Sequence, residues 1–341
     1  MNKRDFIKTS FLLIILIAFG IQATAQQAGE GKRVGIIGLD TSHSTAFTKA
    51  LNDPAAGNKF LGYKVVAAYP QGSLDIQSAV ERIEGYTKEV QKYDVEIVGS
   101  IEELLPKVDV VLLETNDGRR HLEQALPVLK AGKRMFIDKP MAASLADAMA
   151  IFEAARHYKV PVFSASSLRY IKGIDEVQKG AAGKVLGAET YSPCKLDPSH
   201  PDFFWYGIHG VETLFTAMGT GCQTVVRVTT PDTDVAVGTW SDGRIGSFRG
   251  LRGGKAGYGG TIFGEKAITL LGTYNGYNPL LEEIVKYFHT GVIPVQEAET
   301  LEILAFMEAA DLSKKKSGVP VAISDIMAKA AKESKKKLKL D

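Results

Sequence analysis

From Gly31 onward, short apolar runs alternate with amphipathic stretches. Arg33–Gly38, Tyr63–Tyr69, Val95–Val98, Val108–Leu113, Arg134–Ile137 and Val160–Ser164 are short and rich in aliphatic residues, which reads as strands. The stretch through Phe47 and Leu51, and those over Asp75–Val90, Arg120–Lys130 and Leu145–His157, carry helical spacing; Gly132 follows the third of these and ends it. Apolar strands separated by helices predict a parallel sheet covered on both faces. In such a doubly wound α/β sheet, ligands sit at the carboxyl ends of the strands.

The rhythm changes near Gly183. Lys184–Tyr191, Thr224–Val228, Thr233–Trp240, Arg244–Leu251, Gly260–Phe263 and Lys266–Leu271 follow one another with Gly and Asp-Gly turns such as Ser241-Asp242-Gly243. A run of strands without helices between them predicts an antiparallel sheet in a second domain. Leu280–His289 and Ala298–Lys315 read as helices again. The expected division is a nucleotide-binding domain over 32–165, a substrate and oligomerisation domain over 166–325, and a C-terminal helix with a basic tail over 326–341.

Composition narrows the function. The 341 residues carry 41 basic and 39 acidic side chains, a near balance that argues against a general nucleic-acid binder. The first 25 residues have the three-part layout of an export signal: basic MNKRDFIKTS, apolar FLLIILIAFGI, and Ala23-Thr24-Ala25 before Gln26. Lys3-Arg4-Asp5-Phe6-Ile7-Lys8 resembles a twin-arginine signal with Lys in the first place. The apolar run falls short of the ~20 residues that cross a bilayer. A periplasmic or secreted mature protein with no stable membrane span is expected. Cys194 and Cys222 permit one disulfide, which their spacing does not establish, and make no metal framework. No metal site is expected.

The turn after the first strand, VGIIGLDTSHS, approaches a dinucleotide fingerprint and departs from it. Gly38 stands at the first glycine, but Asp40 and His43 occupy the second and third. The second glycine lets backbone approach a pyrophosphate, and the third lets helix and strand pack closely. Asp40 brings negative charge toward that place unless it points away or caps the helix through Ser42 or His43. Thr41, Ser42 and His43 offer donors at the helix N-terminus. No acid ends the second strand, where Ala68-Tyr69-Pro70-Gln71-Gly72 stands instead.

Four stretches resemble the Gfo/Idh/MocA family, the glucose–fructose oxidoreductase and inositol dehydrogenase group. They are Val34–Gly38; His121–Pro140, ending in Asp138-Lys139-Pro140 where the family has Glu-Lys-Pro; Tyr206-Gly207-Ile208-His209; and Gly291–Pro320. The resemblance implies a Rossmann domain joined to an α/β domain with a large, mostly antiparallel open sheet. It implies NAD(P)-dependent hydride transfer on a sugar or polyol, and homo-oligomers formed through the open sheet.

The resemblance also assigns roles. Lys139, at a strand end, would donate to a hydroxyl under oxidation. His209 would take its proton. The family often has Asp four residues before that histidine; here the residue is Trp205. Trp205 and Tyr206 offer an apolar face to a sugar ring or a core contact. Arg169 and Tyr170 follow the sixth strand, where the family often places an Arg against substrate; pairing of Arg169 with a structural acid is equally open. Gly38, Asp40, Thr41, Ser42, His43, Thr115, Asn116, Asp138 and Lys139 are the candidate contacts to NAD or NADP, expected to be tightly bound if present. Two other readings stand beside the oxidoreductase: a glycosidase- or lyase-like carbohydrate enzyme that recycles its NAD, and a non-catalytic carbohydrate-binding protein on a degenerate Rossmann scaffold.

Overall fold

The computed structural model describes residues 32–338. The export segment and the last three residues of the basic tail lie outside the described residues. Six strands form the first sheet: β1 (Arg33–Ile37), β2 (Lys64–Tyr69), β3 (Glu96–Ile97), β4 (Val110–Leu113), β5 (Arg134–Asp138) and β6 (Val162–Ala165). Their order is β3-β2-β1-β4-β5-β6, and every pairing is parallel. The connecting helices are α1 (Ser42–Asn52), α2 (Gln77–Gln91), α3 (Ile101–Leu104), α4 (His121–Lys130) and α5 (Leu145–His157). β4 and β6 are buried at every position, as strands covered on both faces must be. The order reverses between β1 and β4, which opens a crevice at their carboxyl ends.

Short side chains set the helix starts. Ser100 and Ser144 accept from Glu103 N and Asp147 N at the starts of α3 and α5. At α1 the cap is Thr41, whose Oγ1 accepts from His43 N at 3.5 Å. Asp40, which sequence offered as the cap, faces elsewhere.

After α6 (Ile174–Gln178), the second sheet contains β7 (Val185–Pro193), β8 (Cys222–Thr229), β9 (Thr233–Trp240), β10 (Ile245–Leu251), β11 (Gly259–Gly264), β12 (Ile268–Leu271) and β13 (Val321–Ala322). Its order is β12-β11-β7-β10-β9-β8-β13. The pairings are antiparallel except β7 with β10, which run parallel. The cause is α7 (Ile208–Met218), which carries the chain from β7 toward the far edge. The chain then meanders back through β8 and β9 and lays β10 beside β7. Ala188, Val225, Ala236, Phe248 and Ile262 point to the buried side; α7 and α9 (Glu297–Lys315) pack against this sheet. On the other face, Val228, Ile245, Ile268 and Leu270 are exposed. Helices α8 (Asn278–Thr290) and α10 (Ile323–Ser334) complete the chain. Cys194 and Cys222 are both buried and unpaired. No helix among the described residues is long and apolar enough to cross a membrane.

One buried cation anchors the segment before α7. Arg227 is enclosed, with Asp202, Asp234 and Asp311 at 2.8, 2.8 and 2.5 Å. Its guanidinium lies 4.0 Å from the centroid of the Phe203 ring. Asp202 and Phe203 open a π-helical turn, Phe203–Gly207. This tie fixes the turn that presents Trp205 and Tyr206.

Candidate active site

A cavity of about 300 Å³ lies at the carboxyl ends of the first sheet and is roofed by the second half of the chain. Its floor carries Thr41, Ser42 and His43 from the start of α1, Asn116 from the loop after β4, and Lys139 just past β5. Its roof carries Trp205 and Tyr206 from the π-turn, His209 from α7, and Tyr258, Tyr274 and Tyr277 from later loops. Ser78, Arg82, Ser167, Leu168 and Lys195 complete the lining, which contains no carboxylate residue among the described residues. The roof aromatics form a continuous arc. Ring centroids are 6.1 Å apart from His209 to Tyr258, 6.2 Å from Tyr258 to Tyr274, 5.6 Å from Tyr274 to Tyr277 and 4.5 Å from Tyr277 to His43.

His209 is buried, with Nδ1 2.7 Å from Ser166 Oγ. Burial holds its pKa well below the ordinary histidine value, and the neighbouring Lys139 and His43 push the same way. The imidazole is therefore neutral at pH 7. Ser166 Oγ also accepts the Leu168 N–H at 3.1 Å, which fixes its position. Lys139 Nζ lies 3.7 Å from Asp138 Oδ2, and its side chain is only 8% exposed.

Asp40 is fully buried and turned away from the helix N-terminus. Its carboxylate accepts the Ser73 N–H at 2.7 Å and the Asn116 N–H at 2.9 Å. It thus joins the loops after β1, β2 and β4. A Cβ on Gly72 would come within 2.3 Å of an Asp40 oxygen, so that loop can close over the carboxylate only as glycine. Burial raises the Asp40 pKa, opposed by the two backbone hydrogen bonds. The reading of Asp40 as a cofactor contact is corrected: its oxygens are consumed by backbone donors.

Four further assignments are corrected by geometry. Arg169 does not face the cavity; its guanidinium pairs with Glu212 at 3.0 Å and with Glu299. The alternative of a structural acid partner is the one realised, and two acids share it. Tyr170 packs beside the core cluster that contains Leu280 and Phe288. Thr115 is fully buried, and its carbonyl accepts from His121 Nε2 at 2.7 Å. Asp138 is also fully buried and meets His43 Nδ1 at 2.8 Å, beneath the cavity wall. Thr41, Ser42, His43, Asn116, Lys139, Trp205, Tyr206 and His209 come together around one cavity. Sequence reasoning missed Tyr258, Tyr274 and Tyr277; the signal was three tyrosines in the glycine-punctuated loops GKAGYGG and GTYNGYN.

Residues 32–166 match a family model described as the Gfo/Idh/MocA oxidoreductase family, NAD-binding Rossmann fold. Over that stretch the chain is similar to the Gfo/Idh/MocA family. A 1,5-anhydro-D-fructose reductase from Ensifer adhaerens is 33% identical over 107 residues, 30% of this chain. The match spans only 32% of that relative's length. Among solved structures, an oxidoreductase from Thermotoga maritima has a TM-score of 0.67 at 18% identity, covering 87% of this chain and 100% of its own. The scyllo-inositol dehydrogenase from Lactobacillus casei with bound NAD(H) and scyllo-inositol has a TM-score of 0.66 at 14% identity, covering 86% and 100%. These likenesses show the fold.

The residues present fit the dinucleotide of an NAD-binding Rossmann fold, the description of the matching family model. Gly38 has φ +89°, and a Cβ there would sit 2.6 Å from the Thr115 backbone. The tight turn of the fingerprint is therefore kept. Thr41 and Ser42 present the helix N-terminus to the cavity, an arrangement that favours a phosphate. The one negative charge in the turn, Asp40, is withdrawn from it.

Proposed function

We propose that this protein is an exported NAD(P)-dependent oxidoreductase that transfers a hydride at a carbinol carbon of a sugar or polyol. The observation that carries the proposal is the convergence of Lys139 and a neutral His209 on one cavity beside the dinucleotide crevice. Gly38, Thr41, Ser42, Asn116 and Lys139 would hold the dinucleotide. When bound, it supplies the hydride acceptor or donor.

The chain's own residues supply the rest. With Nδ1–H donated to Ser166 Oγ, the Nε2 lone pair of His209 is free to accept the hydroxyl proton. Lys139 donates to the same oxygen and stabilises its developing negative charge. Trp205, Tyr206 and Tyr258 provide apolar ring faces and hydroxyls, the pairing suited to a sugar. The exposed aliphatic residues of the second sheet support a homo-oligomer through that face.

The test starts with nucleotide. The purified mature protein is denatured and the released NAD(P) quantified, with thermal shift on adding either cofactor. Turnover is then measured on a panel of polyols and aldoses. Lys139→Ala and His209→Ala are each expected to lower kcat by about 10²–10⁴-fold, the usual contribution of a positioned acid or base. If neither cofactor is released nor shifts the melting temperature, the oxidoreductase reading falls. Unchanged turnover in both variants removes the assigned roles.

A further inference from the structure

Beneath His43 lies a polar cluster that the proposed reaction does not use. Glu114 follows β4 and is fully buried, and neither of its carboxylate oxygens has a hydrogen-bond partner among the described residues. Asp138 Oδ2 is in the same state. His43 Nδ1 points at both acids, 2.8 Å from Asp138 Oδ1 and 3.7 Å from Glu114 Oε2. One ligand atom from each of the three residues lies within 4.8 Å of the other two. Lys139 approaches Asp138 through Oδ2, at 3.7 Å. Oδ1, the oxygen that faces His43, is left toward the cluster.

Two buried carboxylates cannot both stay ionised without compensating charge. Asp138 Oδ1 has the His43 ring nitrogen as its one hydrogen-bond partner, Lys139 stands beyond hydrogen-bond distance, and the Glu114 oxygens have no donor among the described residues. An imidazole nitrogen and two carboxylate oxygens form a donor set for a divalent cation. With metal–ligand bonds of about 2.0–2.2 Å, neighbouring donor atoms stand about 3.0–3.5 Å apart. The observed 2.8 and 3.7 Å bracket that range. The frame is stiff: His43 sits in the first turn of α1, Asp138 ends β5, and Glu114 directly follows β4. His43 also occupies the place of a fingerprint glycine, so the nucleotide fold itself does not require it.

We propose that His43, Glu114 and Asp138 bind one divalent first-row transition-metal ion. The imidazole favours Zn²⁺ over Mn²⁺, Mg²⁺ and Ca²⁺, which prefer oxygen ligands. The proposal departs from the sequence expectation of no metal, which followed from a cysteine count that leaves His, Glu and Asp donors aside. The inference stands apart from the oxidoreductase reading, because metal uptake is measured without turnover.

The experiment uses the mature protein, stripped with EDTA and titrated separately with Zn²⁺, Mn²⁺ and Mg²⁺ by calorimetry. Elemental analysis of the untreated preparation accompanies it. The expected result is close to one equivalent of Zn²⁺ per chain, at least about tenfold tighter than Mn²⁺ or Mg²⁺. His43→Gln, Glu114→Gln and Asp138→Asn should each weaken uptake by about 10–100-fold or more, since losing even an outer partner costs that much. Glu102→Gln, at an exposed position in α3, should leave it unchanged. If the variants fail to fold, the Co²⁺-loaded wild type decides, by visible bands of a protein N/O site distinct from those of aqueous Co²⁺. No uptake near one equivalent overturns the proposal. So does uptake unchanged in all three variants, or a Co²⁺ spectrum identical to the aqueous ion.

Discussion

Replacing Asp40 by glycine would restore the second fingerprint glycine, yet the structure predicts a weaker protein. The Asp40 carboxylate is the acceptor for two backbone donors, Ser73 N–H and Asn116 N–H. Leaving a buried donor unsatisfied costs about 1–3 kcal/mol. Two such losses set a range of about 2–6 kcal/mol, reduced where water enters the space the side chain leaves. A glycine also costs about 0.5–1 kcal/mol more than an alanine through chain entropy. Against a typical domain stability of about 5–15 kcal/mol, this is a large loss. Asp40→Asn keeps one carbonyl acceptor and turns an amide toward the other donor, so it should fall between wild type and Asp40→Gly. Urea denaturation at pH 7.5, followed by circular dichroism, measures the order directly, with an unchanged m-value marking a true stability effect. An Asp40→Gly protein within about 0.5 kcal/mol of wild type would refute the reasoning, because that is the scatter of an inconsequential surface change.

Other outcomes follow from the buried charges and the open sheet. Arg169→Met leaves Glu212 and Glu299 without their shared cation; a loss of about 3–5 kcal/mol is expected by denaturation, partly recovered by adding Glu212→Gln. Burial raises Glu212 to about 7, opposed by Arg169, against about 4.3 in the unfolded chain. The stabilisation linked to its proton is complete below the unfolded value and is lost as pH rises through the folded one. Glu212→Gln should therefore show a shallower decline in stability between pH 5 and 8, and parallel curves would remove this group from the pH dependence. The paired substitution Ile268→Lys and Leu270→Lys places charges on the exposed sheet face, where these side chains are 68% and 74% exposed. Light scattering should show a lower assembly mass than wild type, and a monomeric wild type would defeat the oligomer proposal.

The element rhythm was legible because each strand of the first sheet is a compact apolar run between helical repeats. Most observed bounds lie within two residues of those the pattern predicts, as with β9 at Thr233–Trp240. The parallel pairing of β7 with β10 was not legible, since the side-chain alternation of a strand carries no direction. Lys139 and His209 were found by motif, and the fold brings them to one cavity. Asp40 could be named but not aimed: its partners, Ser73 and Asn116, lie 33 and 76 residues away. The same distance in sequence hid the partners of Arg169, which are 43 and 130 residues removed. The His43–Glu114–Asp138 cluster was invisible for a related reason. Each acid ends a different strand, and only the β1–β4–β5 neighbourhood makes them adjacent.

The arc of tyrosines over the cavity separates two evolutionary tasks. The groups that carry charge and protons stand on strand ends and helix starts, where a backbone shift disturbs the sheet. Tyr258, Tyr274 and Tyr277 stand in or beside glycine-containing loops of the second half, with little regular structure to preserve. Ligand preference can drift by exchange of these rings while the crevice beneath them stays fixed. Exchange of one of these rings would therefore reshape the cavity without disturbing the strand ends beneath it.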